Sequence, residues 1–564
     1  MHSAPDASRR LTVYRICAES GEVDGYVLHA LRELRSVFDG LIVLSSAELA
    51  TRTREEIEQR IGATLLVGGE RTTAAAVFDA IRAQEDRSGV FDEVVVTDDS
   101  WFGPLHPLRP VLRHMSLARE STWTMTAAHT GTATSWISMA RSEINGWASD
   151  RDSLHTVVCR GWESARLAGL VAEAFPDSSF NTLVDDGCPL LPVTVFDGDP
   201  AVLDLGGVDL RRVVSRLSEA GLSPALVRQH LARRIAPRTL NALLALMRVV
   251  PADGERQDGI SVRPVRPEIR AVVHVEPGRA LDEIDVVARV LDSRDSLVVT
   301  AAPEDADRVR GELRRLEVLA DVRATDPAEG QMGALLRHCA DLLHLGGDDP
   351  LLLMMRVAAA PGSVPGIRRH REQHARNALF GDPTQLLAVV DLFIADPCLG
   401  FVLPPATAIG SETFGAAWHG REDHARRICD MLGIAVPLGP SPLEPTEGSW
   451  IARVSALSVF LRHPFTAADF RDDHAEGAVL SSLIAHAAGS SGFSSCTVID
   501  PRGAAISQAD LAYTLDQLAA APLGAPAQQI QLLRGMGDLG DGSTRDTLRA
   551  AWRRLRSGRR RLPS

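Results

Sequence analysis

The segment Phe91–Leu105, FDEVVVTDDSWFGPL, runs a β-branched stretch straight into two adjacent carboxylates, Asp98 and Asp99. Aspartate is a poor strand former and is costly to bury unpaired, so the pair marks where the chain leaves a sheet and meets solvent, ligand or metal. Two carboxylates at such a point can hold a divalent cation, Mg or Mn, that bridges a diphosphate, which makes Asp98 and Asp99 candidates both for catalysis and for metal ligation. The same residues equally suit a turn begun by Asp98, with Ser100 capping the next helix. Trp101 comes next, with a face on which a sugar or base ring could stack, although an aromatic packed beneath a loop is the commoner case.

Hydrophobic periodicity supplies the elements that would position these residues. Strand patterns at 11–19, 41–46, 64–69 and in DEVVVTDD alternate with helical ones, the rhythm of a parallel sheet wrapped by helices. The second half repeats it with IRAVVHVEP (269–277), SLVVTAAP and ADVRAT, and DLLHLGGDDP (341–350) reads as a strand closing in an acidic turn. Both passages would then end in paired carboxylates, Asp98-Asp99 and Asp348-Asp349, at the carboxyl edge where open α/β sheets hold ligands. A duplicated α/β domain accounts for this. The Pro-, Gly- and charge-rich stretch 251–268 reads as a linker between a first domain over 10–250, with a helical extension, and a second over 269–525, followed by a basic tail over 526–564.

With 564 residues the chain is too long for one core, and its 45% hydrophobic and 24% charged content is that of a globular protein. A net charge of −13 argues against a body that tracks nucleic-acid phosphates, so no nucleic-acid partner is expected. All 60 basic residues are arginine, which excludes a Walker lysine or a Schiff-base lysine. The seven cysteines lack any C-x-x-C spacing and read as reduced thiols rather than zinc ligands or disulfides. No signal-peptide core and no run of about 18 apolar residues occurs, which points to a cytoplasmic protein. In the tail, Leu548, Trp552 and Leu555 fall on one side of an arginine-rich helix, suited to the anionic inner face of a membrane or else to a solvated end. His370 and His374 stand four apart among Arg368, Arg369, Arg371 and Arg376; a wet basic helix face explains them more simply than a metal or phosphate site.

Several weak motifs recur in a fixed order: GEVDGYVLHALREL, FDEVVVTDDSWFGPLHPL, DLLHLGG, the segment 377–405, Trp418-His419-Gly420, EGSWIARVSAL (447–457) and FTAADF (465–470). In that order they resemble the rhamnan synthesis protein F family over most of residues 10–500. The resemblance implies an α/β fold of two tandem glycosyltransferase-A-like (Rossmann-like) parallel-sheet domains with added helices. It also implies a role in cell-surface polysaccharide assembly, in which a deoxyhexose such as rhamnose passes from a nucleotide-diphosphate sugar to a lipid-linked glycan acceptor, beside other polysaccharide-assembly proteins and with the tail on the inner membrane surface. By resemblance Asp98 and Asp99 sit at the donor diphosphate, and Glu447, Ser449 and Trp450 lie near the acceptor; Ser100 and Trp101 are further donor- or substrate-binding candidates. Asp348, Asp349 and Trp418 are the second domain's remaining binding candidates. The chain departs from the family where a basic turn of the second domain is replaced by His344–Asp349, which ends in acids. The alternative is therefore a catalytically degenerate glycan-binding or scaffold protein of the same pathway.

Overall fold

The computed structural model describes residues 8–17, 23–68, 74–105, 107–118, 122–124, 136–147, 160–161, 190–193, 210–219, 222–250, 266–281, 284–345, 348–357, 365–406, 418, 420–445, 447–471 and 475–520. The chain divides into two compact units, Met1–His230 and Leu231–Ser564.

The first unit contains β1 (Arg10–Ile16), β2 (Gly40–Ser45), β3 (Thr64–Val67), β4 (Glu93–Asp98), β5 (Trp101–Phe102), β6 (Thr122–Thr124), β7 (Trp136–Ala140), β8 (Arg160–Gly161) and β9 (Leu191–Pro192). Its main sheet has the order β3-β2-β1-β4-β7-β6-β8, while β5 pairs with β9 apart from it. The strands from β3 to β4 run parallel, β7 is antiparallel to both β4 and β6, and β8 is parallel to β6. Leu11, Val13, Ile42, Leu44, Val94 and Val96 pack in one core with Val77 and Ile81 of the helix Ala74–Ser88. The helix Gly25–Val37 buries Tyr26, Val27, Ala30, Leu31 and Leu34, a single stripe at helical spacing.

The second unit holds β10 (Met247–Val249), β11 (Ile269–Val275), β12 (Ser296–Ala301), β13 (Asp321–Ala324), β14 (Leu351–Val357), β15 (Leu399–Leu403), β16 (Trp450–Arg453) and β17 (Ser494–Ile499). Its sheet has the order β10-β17-β15-β16-β14-β11-β12-β13. Counted from β11 as the first, the strands lie from the β13 edge in the order third, second, first, fourth, sixth, fifth and seventh, with the sixth, β16, reversed against both neighbours. In the main sheet of the first unit the reversed strand, β7, likewise stands beside the fourth. The expected duplication is therefore a duplication of topology. Even the entry to the first strand is built alike: Arg10 N donates to Asp39 Oδ2 at 2.8 Å, and Ile269 N donates to Asp295 Oδ1 at 2.7 Å. Along β14, Leu352 and Met354 belong to one core and Leu351, Leu353 and Met355 to another, so the sheet is covered on both faces.

Two expectations need amendment. Residues 341–350 are not the fourth strand of the second unit: Ala340–Leu343 is a 3₁₀ turn, and the strand begins at Leu351. LLLMMRV is the continuous apolar run that a doubly covered parallel strand needs, whereas DLLHLGG brings Asp and two glycines that disfavour one. The division between units falls at His230 and Leu231 rather than near 250, because β10 adds to the second sheet beside β17. The linker at 251–265 and the tail, with Leu548, Trp552 and Leu555, lie outside the described residues. Among the described residues no single helix is long and apolar enough to cross a membrane.

Candidate functional site

In sheets of this kind the crevice opens beyond the carboxyl ends of the first and fourth strands, where the order reverses direction. In the first unit that edge carries Arg15 on β1 opposite Asp98 on β4. Arg15 Nη2 donates to Asp98 Oδ2 at 2.8 Å, and the pair is mostly buried. The other carboxylate oxygen, Oδ1, accepts from Ser100 N at 3.2 Å and from Ser100 Oγ at 2.5 Å, so Asp98 and Ser100 form the turn that the DDS sequence allowed. Asp99 Oδ2 accepts from Cys17 N at 3.1 Å, its main-chain oxygen accepts from Tyr26 Oη at 2.5 Å, and burial pushes its carboxyl above the usual range. Trp101 is fully buried, with Nε1 donating to Thr97 Oγ1 at 2.8 Å and its ring edge-on to Tyr14 and Trp136. Its faces belong to the core, so the stacking role foreseen for it is not supported.

A cation bridging Asp98 and Asp99 does not fit this arrangement. Arg15 already neutralises Asp98, both Asp98 oxygens have protein donors, and a metal ion would have to displace a buried guanidinium. Among the described residues no three His, Cys, Asp or Glu side chains converge in a way that could hold a metal ion.

The second unit places a different charge at the equivalent point. The fifth residue beyond each anchored strand entry is Arg15 in the first unit and His274 in the second, and their partners in register on the fourth strand are Asp98 and Arg356. Arg356 Nε donates to Glu276 Oε1 at 3.1 Å, and Arg356 Nη2 donates to the same oxygen. Its main-chain N–H donates to Ser449 Oγ at 3.3 Å. Next to it, Gly448 takes φ +71°, and its carbonyl accepts from Gln331 Nε2 at 2.5 Å. His274 is buried against Thr300, Nδ1 to Oγ1 2.9 Å; burial first, and Arg356 second, hold its pKa down to about 4, so it is neutral at pH 7.

Beside these residues lies a cavity of about 210 Å³ whose charged and polar lining is Arg279, Arg356, Glu372, Arg376, Glu447 and Ser449. Glu372 and Arg376 come from the helix Pro365–Phe380, and Arg279 Nη2 stands 3.9 Å from Glu372 Oε1. Of the residues singled out in the sequence, Glu447 and Ser449 reach this cavity, as does Arg376, weighed there only as a possible phosphate ligand. Trp450 is fully buried against Phe401, and Trp418 is buried with Nε1 donating to the Gly439 carbonyl at 3.1 Å. Asp348 and Asp349 precede β14 and therefore sit at the opposite, amino edge of the sheet, where Asp349 accepts from Ser455 N at 3.0 Å and Ser455 Oγ at 2.6 Å. Their assignment to ligand binding came from the misplaced strand. His374 is buried with Nε2 3.2 Å from the Pro405 carbonyl oxygen, and the side chain of His370 lies outside the described residues. Sequence reasoning missed Arg279, Glu276 and Arg356. The signal that exposed Asp98, a charge ending an apolar strand run, was present at Arg356 as well.

No family model matches the chain, and no curated protein does. Among solved structures, glucosyl-3-phosphoglycerate synthase from Mycobacterium tuberculosis, in complex with Mn2+, UDP-glucose and phosphoglyceric acid, is 14% identical over 27% of this chain and 70% of its own, with a TM-score of 0.19. The glycosyltransferase GlyE of Streptococcus pneumoniae TIGR4 is 10% identical over 52% of this chain and 75% of its own, with a TM-score of 0.20. A cytidylyltransferase from Leptospira borgpetersenii is 16% identical over 38% of this chain and 95% of its own, with a TM-score of 0.21. The strand order common to the two units, with its reversed strand beside the fourth, makes each an α/β domain built on a mainly parallel sheet.

Proposed function

We propose that the protein is a nucleotide-sugar-dependent glycosyltransferase-like protein whose ligand site is the cavity at the carboxyl edge of the second unit. The observation that carries this reading is the placement of Arg279, Arg356 and Arg376 around one cavity together with Glu447 and Ser449, beyond the first and fourth strands. Guanidinium groups match phosphate oxygens in charge and in fork geometry, so they suit the diphosphate that leaves when a sugar is transferred. Glu447 is then the carboxylate that takes the proton of an acceptor hydroxyl as the new glycosidic bond forms. In its finer form the reading makes the donor a deoxyhexose nucleotide and the acceptor a growing, lipid-linked polysaccharide handled on the cytoplasmic side of the membrane; the ordered motifs of the sequence support that form.

A second reading concerns the first unit alone. The Arg15–Asp98 pair and the Ser100 turn satisfy the residues that would otherwise meet a donor, which favours a supporting, non-catalytic module there. Calorimetry of the full chain with UDP and dTDP tests both readings. Binding that weakens in Arg376→Ala and persists in Asp98→Asn is expected; binding of neither nucleotide would reject the donor site, and loss in Asp98→Asn would return it to the first unit. A transfer assay adds that Glu447→Gln retains binding and loses turnover.

A further inference from the structure

We infer that the second unit meets a diphosphate group directly through Arg356, in the position where a fourth-strand carboxylate would need a metal ion to do so. The inference rests on the donor site proposed above and specifies how its charge is handled.

The two units keep an ion pair at the same place and exchange its sign. In the first, the cation is on the first strand and the anion ends the fourth, Arg15 with Asp98. In the second, the anion is Glu276, just past the end of β11, and the cation is Arg356 on β14. A carboxylate at that position repels phosphate unless a cation intervenes, whereas a guanidinium attracts it and donates hydrogen bonds to it. Glu276 engages Arg356 through Nε and Nη2 on a single oxygen, and a guanidinium has five N–H donors, so donor capacity is left for a second anionic partner. The Glu276 contact also holds the fork in place, which reduces the entropy lost when a ligand arrives.

The charges facing Arg356 are accounted for. Arg279 and Arg376 share its cavity wall and add to the attraction, while Glu372 and Glu447 oppose it. His274, paired with Arg356 in register, is neutral and leaves the balance unchanged. Counting Glu276 with the lining, three arginines face three glutamates, so the attraction for phosphate is local, carried by the N–H donors of Arg356 that Glu276 does not occupy. Ser449 Oγ, already bonded to the Arg356 main chain, fixes the end of β14 on which the guanidinium is mounted.

The experiment titrates the full chain with UDP and with inorganic pyrophosphate, in EDTA and again in excess Mg2+ or Mn2+. Affinities in EDTA and in metal should agree within about threefold, and Arg356→Ala should weaken both probes by about tenfold or more, the loss expected for a charge-assisted hydrogen bond. Arg356→Lys keeps the charge without the fork and should fall between, which guards against a variant that fails to fold; far-UV circular dichroism and melting check both. UDP binding that requires metal, or that is indifferent to both substitutions at Arg356, overturns the inference while the donor site itself survives. Absence of binding by both UDP and pyrophosphate under every condition removes the donor site and this inference together. Pyrophosphate that binds while UDP does not would keep the arginine contact and reject the nucleotide.

Discussion

Gly448→Ala couples the backbone of the second unit to its cavity, and its cost can be worked out from local geometry. Gly448 has φ +71°, a conformation that costs an L-residue about 1–2 kcal/mol. A β-carbon there would lie 2.5 Å from Gln331 Oε1 and 2.8 Å from Arg356 Cδ, closer than real contacts allow. Both obstacles are side chains, so they shift rather than clash outright, but Gln331 then loses its hydrogen bond to the Gly448 carbonyl, about 1 kcal/mol. The sum is about 2–3 kcal/mol, which should lower the urea midpoint of the second unit. Because Arg356 is one of the two groups displaced, UDP affinity in the folded variant should fall as well. Gly448→Asn tolerates the positive φ better and should recover part of the stability, but not the affinity, since its β-carbon meets the same neighbours. In Gly448→Ala combined with Gln331→Ala, the losses should be less than additive, because the second substitution removes one obstacle to the first. If Gly448→Ala matches the wild type within about 0.5 kcal/mol and binds UDP equally, the packing described around Arg356 is wrong.

Two further outcomes concern the second unit. The Asp295 side chain has no solvent exposure; it accepts from Ile269 N at 2.7 Å, from Asp292 N at 2.7 Å and from Arg266 Nη2 at 2.6 Å. Asp295→Ala leaves two main-chain donors unpaired and Arg266 with Asp292 as its remaining carboxylate partner, so urea unfolding should show a loss of about 2–3 kcal/mol; a loss under about 1 kcal/mol would contradict the anchoring role. His274 and His486 are both buried, and burial is the first cause of their pKa values of about 4 against an ordinary 6.5. Protons bind the unfolded chain from pH 6.5 downward and the folded chain only near pH 4. Stability is therefore complete above pH 6.5 and falls with decreasing pH through that window, by up to about 1.4 kcal/mol per pH unit for each histidine. His486→Gln should flatten this slope by one histidine's share in urea titrations at pH 4–7, and an unchanged slope would show that His486 titrates normally.

How far the sequence carried can be judged from particular elements. Strands β1 to β4 and β11 to β13 fall where apolar and β-branched runs placed them, within a few residues, because a buried strand needs a local property that the chain displays locally. DLLHLGGDDP failed by the same standard: its leucines imitate a strand, while the stronger run LLLMMRV comes immediately after it, and only pairing with β11 shows which of the two enters the sheet. That displacement moved Asp348 and Asp349 from one edge of the sheet to the other. Trp101, Trp418 and Trp450 have the residue type for ligand stacking, yet their surroundings bury them; burial depends on neighbours distant in the chain.

Residue order alone determined that this chain is lysine-free and acidic, that it is built from repeated strand and helix passages, and that charges stand where apolar strands end. Tertiary structure decided what those charges are for. Arg15 and Asp98 are 83 positions apart, and Arg356 and Glu276 are 80, so which side chain neutralises which is a matter of strand register, and register is set by the packing of the entire sheet. That is why the carboxylates first singled out turn out to be engaged within the first unit, while Arg356, the residue proposed to meet a phosphate, carried no mark in the sequence beyond its position at the end of a strand.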